Sequence, residues 1–339
     1  MQKHPTVSNG IERISRGMRV IFRSMRPLKH DVIAPEIHQT PEGYEYHVYY
    51  PHGKALRTVV LIYGMSIEGE YDGRLLKFAR SCVAAGLKVV IPHLPGLMEL
   101  CVNTGDMLRL ESILNVLKSE ANGKIGLIGF STGGSYALLL AANPDLRDSI
   151  DPIVLFSPIY DARAVAERLH APADPMPQTP KDWDEYLWAQ FVITYRNRLL
   201  LQLSKDVVHT LHIMLLDYDR YELEAKRAFY DKHIVPLHLV GRKDLVNEGT
   251  ALDMLSARGK LALVKSAVFI LHDASDRIVP PDHSHRMHAE LALRGAGYRQ
   301  DILVTPWLSH VVMQKTGSLS EMLKFVSLVS ELFRNTPAN

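Results

Sequence analysis

The run Gly129-Phe130-Ser131-Thr132-Gly133, followed by Gly134, sets a serine among small residues where the apolar segment KIGLIG gives way to GSYALLLAA. A strand, a sharp turn and a helix in that order hold the serine in a strained elbow, with Oγ exposed at the carboxyl edge of a sheet. The helix N-terminus beneath it adds a positive dipole end and free N–H groups. A serine hydroxyl is a weak nucleophile at neutral pH, so acyl chemistry at Ser131 needs a base and a carboxylate to orient that base. Both occur downstream. Asp276 lies in His272-Asp273-Ala274-Ser275-Asp276-Arg277-Ile278-Val279-Pro280, directly after the strand SAVFIL, and His310 closes Pro306-Trp307-Leu308-Ser309-His310, just after QDILV.

With nucleophile, acid and histidine in that chain order, the sequence resembles the α/β-hydrolase superfamily over about residues 40–160 and 263–335. The resemblance implies an α/β fold, a mostly parallel central sheet flanked by helices with an inserted, mostly helical cap. It further implies a serine hydrolase of esterase, lipase or peptidase type that needs neither metal nor organic cofactor. Members with a similar DxxVP loop use its aspartate as the triad acid, which carries over to Asp276. Ser131 would attack the acyl carbon, His310 would take and return its proton, and Asp276 would fix the imidazole tautomer.

The tetrahedral intermediate needs donors, for which the backbone N–H groups of Thr132 and Met65 are the candidates. Tyr63-Gly64 stands where many relatives have His-Gly, so Tyr63 either offers its phenol as a further donor or packs its ring under the loop. His272-Asp273 replaces a commoner His-Gly, which makes Asp273 a rival acid nearer the strand end. Asp161, after another strand, is a weaker rival. The favoured substrate is a carboxylic ester or related small-molecule acyl compound. The same triad would serve an acyltransferase, a thioesterase or a peptidase, whereas a non-catalytic binding role would leave the triad damaged.

These residues require elements to carry them. Strands are expected at 44–50 and 57–63, as an opening hairpin, and at 87–91, 124–129, 152–156, 266–271 and 300–304. Helices are expected at 72–85, 105–120, 133–142, 282–294 and 318–334 from apolar periodicity and turn signals. The alternation predicts a parallel sheet covered on both faces. Residues 39–160 and 263–339 thus form the core, and 161–262 the cap. The cap enters through Pro172, Pro175, Pro177 and Pro180 as a hinge and continues in helices around 183–201, 206–216 and 220–233. Trp183, Tyr186, Leu187, Trp188 and Phe191 form an aromatic stripe read first as cap core and second as a substrate wall. His283, His285 and His288 read as solvent-facing helix residues rather than a metal cluster.

The chain has 339 residues, 47% hydrophobic and 22% charged, which excludes disordered and fibrous classes. A net charge of +2 with no basic, aromatic-interleaved run argues against nucleic acid. Cys82 and Cys101 read as reduced thiols, and no stretch of roughly twenty apolar residues or secretory signal is present, so a cytoplasmic protein is expected. One segment departs from this balance. Between Met1 and His30 seven basic residues face the single acid Glu12, a local +6 that leaves −4 for the rest. Ile11, Ile14, Met18, Ile21, Phe22 and Met25 recur there at helical spacing, predicting a basic amphipathic helix over 10–26 within the segment 1–38. Such a helix packs its apolar stripe on the body or rests on an anionic membrane surface, and organelle targeting is a third reading.

Overall fold

Val59, Val60, Leu61 and Ile62 are consecutive and fully removed from solvent. A run with no polar alternation must be covered on both faces, which requires a parallel sheet between helices. A computed structural model describes residues 7–25, 34–121, 123–171, 176–239, 249–310, 312–313 and 317–334. Pro172 and Pro175 of the expected hinge lie outside the described residues, as do Lys3, Arg26 and Lys29 of the basic segment.

The strands of the main sheet are β1 (Glu36–Gln39), β2 (Glu45–Tyr49), β3 (Arg57–Ile62), β4 (Leu87–Pro92), β5 (Ile125–Phe130), β6 (Ile150–Phe156), β7 (Val268–Asp273) and β8 (Gln300–Thr305); two short strands, Leu308–Ser309 and Val312–Met313, pair antiparallel on either side of His310. The main sheet is eight-stranded, in the order β1-β2-β4-β3-β5-β6-β7-β8. β1 and β2 pair antiparallel, as do β2 and β4; every other neighbour is parallel. The helices are α1 (Val7–Ser24), α2 (Gly73–Ala84), α3 (Pro95–Met98), α4 (Thr104–Glu120), α5 (Thr132–Ala142) and α6 (Ala162–Leu169). They continue with α7 (Pro180–Arg196), α8 (Lys205–Leu216), α9 (Leu223–His233), α10 (Gly249–Met254), α11 (Asp282–Ala292) and α12 (Leu319–Ser330). Helices α6 to α10 all fall between β6 and β7.

The expected hairpin is not formed. β3, buried along its apolar run, needs a parallel neighbour on each side, and β4 and β5 supply them. β2 is displaced outward to β4, and its hairpin partner is β1. β1 escaped the reading because EIHQ is a short, mostly exposed edge with no apolar pattern. Local chemistry sets the helix starts. Asp72 accepts the N–H groups of Arg74 and Leu75 at the head of α2. Thr179 and Asp182 cap each other reciprocally at the head of α7, with Pro180 in its first turn. Each such cap is worth about 1 kcal/mol.

Helix α1 packs on α2 and α12, but through a face offset from the expected stripe. Val20 and Ile21 are buried. Arg13 pairs with Glu331 at 2.8 Å and Arg16 donates to the Ala85 carbonyl at 2.7 Å. Gly17 decides which face docks, since a Cβ there would stand 2.9 Å from Ser330 Cβ. Ile11, Ile14, Met18 and Phe22 consequently remain exposed. Gly17→Val should force the two helices apart and lower stability by about 1–3 kcal/mol, the range for overpacking. The shift in urea midpoint, with unchanged slope, measures it.

Candidate active site

Ser131 occupies the turn between β5 and α5 with φ 50° and ψ −119°, a left-handed conformation that a side chain adopts only under constraint. Three kinds of contact impose it. The Ser131 N–H donates to the Phe156 carbonyl at 2.8 Å, and its own carbonyl accepts the Gly134 N–H at 2.9 Å. A Cβ on Gly133 would lie 2.2 Å from the Ile62 carbonyl oxygen, so α5 can cross β3 this closely only through glycine. Beneath the turn, the Phe130 and Phe156 rings stack at 4.9 Å, and Phe78 meets both edge-on.

Asp276 lies past the end of β7 and is 4% exposed. One carboxylate oxygen accepts the N–H groups of Ile278 and Val279, each at 2.9 Å; the other meets His310 Nδ1 at 2.6 Å. A carboxylate only accepts, so Nδ1 carries the proton and Nε2 is left as the basic nitrogen of the neutral ring. Ser131 and His310 line one cavity of about 250 Å³. Phe78, Phe130, Ile159, Trp188, Val192 and Ile278 make much of its wall. Of the aromatic stripe on α7, Trp188 faces this cavity, whereas Leu187 and Phe191 are fully buried.

Compared by sequence, the chain matches no family model and no curated protein. Compared by structure, it is similar to an esterase of Pyrococcus furiosus, with a TM-score of 0.51 at 12% identity over 90% of this chain and 94% of that one. The fold is that of the α/β-hydrolases. An acylaminoacyl peptidase of Pyrococcus horikoshii aligns over 98% of this chain and 44% of its own, at 14% identity and a TM-score of 0.48. A meta-cleavage product hydrolase of Pseudomonas fluorescens aligns over 88% and 97%, at 18% identity and 0.47. The chain spans only 36 to 44% of the length of the first five structures it matches.

Within the α/β-hydrolase fold, the parallel pairing of β7 with β8 brings the acid loop and the histidine to one edge. Asp273, the rival acid, holds the histidine's main chain instead of its ring. Its Oδ2 accepts the His310 N–H at 2.9 Å and Lys181 Nζ at 2.9 Å, and its Oδ1 accepts the Ser275 N–H at 2.9 Å. Ser157 Oγ donates to the His310 carbonyl at 2.6 Å. His310 itself sits at φ 49°, so Asp273 and Ser157 together brace a strained residue. Sequence reasoning missed Ser157 and Lys181, which lie in other segments and belong to no motif. Asp161 caps α6, accepts the Ala164 N–H and pairs with Arg258.

Among the described residues, neither the Thr132 N–H nor the Met65 N–H has an acceptor. Tyr63 is placed otherwise. Its hydroxyl donates to Glu70 at 3.3 Å and accepts the Leu94 N–H at 2.8 Å, so its ring, not a free phenol, borders the cavity. Burial, reinforced by Glu70, lifts its pKa far above the ordinary tyrosine range. His283 is buried, not solvent-facing, and its Nδ1 accepts the Tyr160 N–H at 3.2 Å. Burial, then Arg286, pushes its pKa down to about 4.

Burial opposes charge on both members of the Asp276–His310 pair, yet their mutual attraction prevails. The Asp276 pKa lies below its ordinary 3.8 and that of His310 above its ordinary 6.5. A depressed carboxylate stabilises the fold above pH 3.8 and loses that contribution as pH falls through its lowered pKa. A raised histidine stabilises below pH 6.5 and loses that contribution as pH rises through its raised pKa. Asp276→Asn should therefore cost more stability at pH 6 than at pH 9, and paired urea titrations at the two values read the difference.

Proposed function

We propose that this protein is a serine hydrolase that cleaves a carboxylic ester or related acyl bond through Ser131, His310 and Asp276. The reading rests on one observation above others. A serine in a strained elbow and a histidine whose Nδ1 proton is held by a buried carboxylate face the same apolar cavity. The name of the Pyrococcus furiosus esterase favours the same chemistry.

In the proposed reaction, His310 Nε2 takes the Ser131 hydroxyl proton as Oγ bonds to the acyl carbon. Negative charge then moves to the acyl oxygen, where the N–H groups of Thr132 and Met65 are the candidate donors. Collapse of the tetrahedral species breaks the bond to the leaving group, which receives the proton from His310. Water repeats the sequence on the acyl-enzyme, with His310 again as base, and frees the acid and Ser131. Asp276 stays ionised throughout and holds the ring. The aliphatic and aromatic wall suits an apolar acyl part.

A fluorophosphonate probe should label Ser131, with labelling lost in Ser131→Ala and strongly reduced in His310→Ala; label at another serine of the folded protein would overturn the assignment. With a chromogenic ester, kcat/KM should rise with pH through a midpoint above 6.5, since the base must be neutral and its pKa is raised. Asp276→Asn should lower kcat by about 10⁴-fold and move that midpoint down.

The exposed ridge of α1 supports a membrane-contacting role. Ile11 is 67% exposed and Ile14, Met18 and Phe22 about 40%, with Arg19 and Arg23 exposed beside them. The helix ends at the cavity, whose lining includes Ser24 and Met25. No described helix is long and apolar enough to cross a membrane, so the contact would be peripheral. The full chain should float with phosphatidylcholine vesicles containing phosphatidylglycerol and less with pure phosphatidylcholine. Ile14→Ser with Phe22→Ser should abolish flotation, and equal flotation of that variant would remove the proposal.

A further inference from the structure

The Tyr63 hydroxyl reaches a group of side chains that do not line the cavity and that the proposed reaction does not use. Glu45 and His47 are two apart on β2 and so share one face of the sheet. Glu70 comes from the single 3₁₀ turn Gly69–Tyr71, which covers that face. The donor atoms of Glu45, His47 and Glu70 lie within 4.8 Å of one another. His93 lies opposite Glu45, its N–H donating to the Glu45 carbonyl at 3.1 Å. Its Nδ1 stands 2.7 Å from Glu70 Oε1.

His47 is the independent sign that something is missing from this group. It is 1% exposed, and neither ring nitrogen has a hydrogen-bond partner. Nε2 approaches Glu45 Oε1 only to 3.5 Å. A buried imidazole with two unused nitrogens is rare, because its polar atoms lose water without a replacement. Here it faces two carboxylates, groups that only accept. A cation between them would satisfy all three.

We propose that Glu45, His47 and Glu70 form a binding site for a divalent transition-metal ion, with Zn²⁺ the best match. One imidazole and two carboxylates are hard-to-borderline donors of the kind Zn²⁺ takes, and three protein ligands leave one position for water. Metal–donor distances of about 2.0–2.2 Å require the three donors to draw inward slightly. The second layer of contacts is already in place: Glu70 is held by His93 on one oxygen and by the Tyr63 hydroxyl on the other. Such outer contacts orient a metal-binding carboxylate. An approach from solvent exists as well, since the side chains of Glu45 and His93 are 35% and 32% exposed. The ion would clamp the turn Gly69–Tyr71 to β2, and through Glu70 it would fix Tyr63. The site stands independently of the proposed hydrolase chemistry.

The test uses the full chain, stripped with a chelator and titrated with Zn²⁺ against a chromophoric competitor, and with Co²⁺ for its visible absorption. One equivalent should bind, Co²⁺ should give the intense bands of four-coordination, and Zn²⁺ should raise the melting temperature. Glu45→Gln, at the half-exposed rim, should weaken binding at least tenfold and abolish the thermal shift. His47→Phe, which keeps the ring volume, should do the same. His285→Ala with His288→Ala, on the surface of α11, should change nothing. Absence of a one-equivalent event, or binding that survives Glu45→Gln undiminished, overturns the site even if His47→Phe fails to fold.

Discussion

The contact between Asp276 and His310 governs the arrangement around it, because it joins a fully buried carboxylate to an imidazole only 15% exposed, and either charge would be costly there alone. Asp276 keeps its charge by dividing its oxygens: one holds two N–H groups of its own loop, the other the imidazole. A second carboxylate, Asp273, lies only three residues earlier and is fully buried. Two such charges in one loop are tolerable because each has its own cation or donor set, His310 for one and Lys181 with the His310 and Ser275 amides for the other. The fully buried His272 lies beside the pair without a hydrogen bond to it, its Nε2 3.6 Å from Asp276 Oδ2. Its Nε2 donates to the Val279 carbonyl and its Nδ1 accepts from Ser284, a neutral ring that props the loop from behind.

The opposite wall is built by a different force. Ser131 holds an unfavourable backbone conformation, of the kind that costs about 1–3 kcal/mol, and no single bond could maintain it. The aromatic cluster of Phe78, Phe130 and Phe156 fills the space below, and each buried ring contributes about 1.5–3 kcal/mol of apolar burial. Packing therefore holds the serine side, while hydrogen bonds and charge hold the histidine side. The two sides meet at the cavity and at the end of β6, where Phe156 accepts the Ser131 N–H and the next residue, Ser157, donates to the His310 carbonyl.

The elements that carry the candidate site were legible from their apolar runs, most plainly β5 and β7, which are buried throughout. β5 and α5 around Ser131, β7 before Asp276 and β8 before His310 show apolar runs bounded by turn residues, and the observed spans differ by a few residues at most. What lay hidden was pairing and long-range contact. β2 has the composition of an ordinary strand, and nothing local says that it lies beside β4 instead of β3. The apolar residues of α1 announce a helix but not which face docks; Gly17, a residue with no side chain, made that choice. Around the candidate site, the elbow and the two loops could be read from motifs. Asp273 could be read only as an ambiguity, and its contact with the His310 main-chain N–H is invisible in composition. Glu45, His47 and Glu70 come together from segments that carry no shared motif.

Lys181 gives the fold one more property. It stands at the start of α7, the helix that presents Trp188, Ala189 and Val192 to the cavity, yet its ammonium is fastened to Asp273 and Ser275 on the far loop. One ammonium group therefore ties the wall of the chamber to the loop that braces His310. A ligand bulky enough to push α7 outward would pull on the same anchor that steadies His310, so occupancy of the chamber and the position of that imidazole are mechanically coupled.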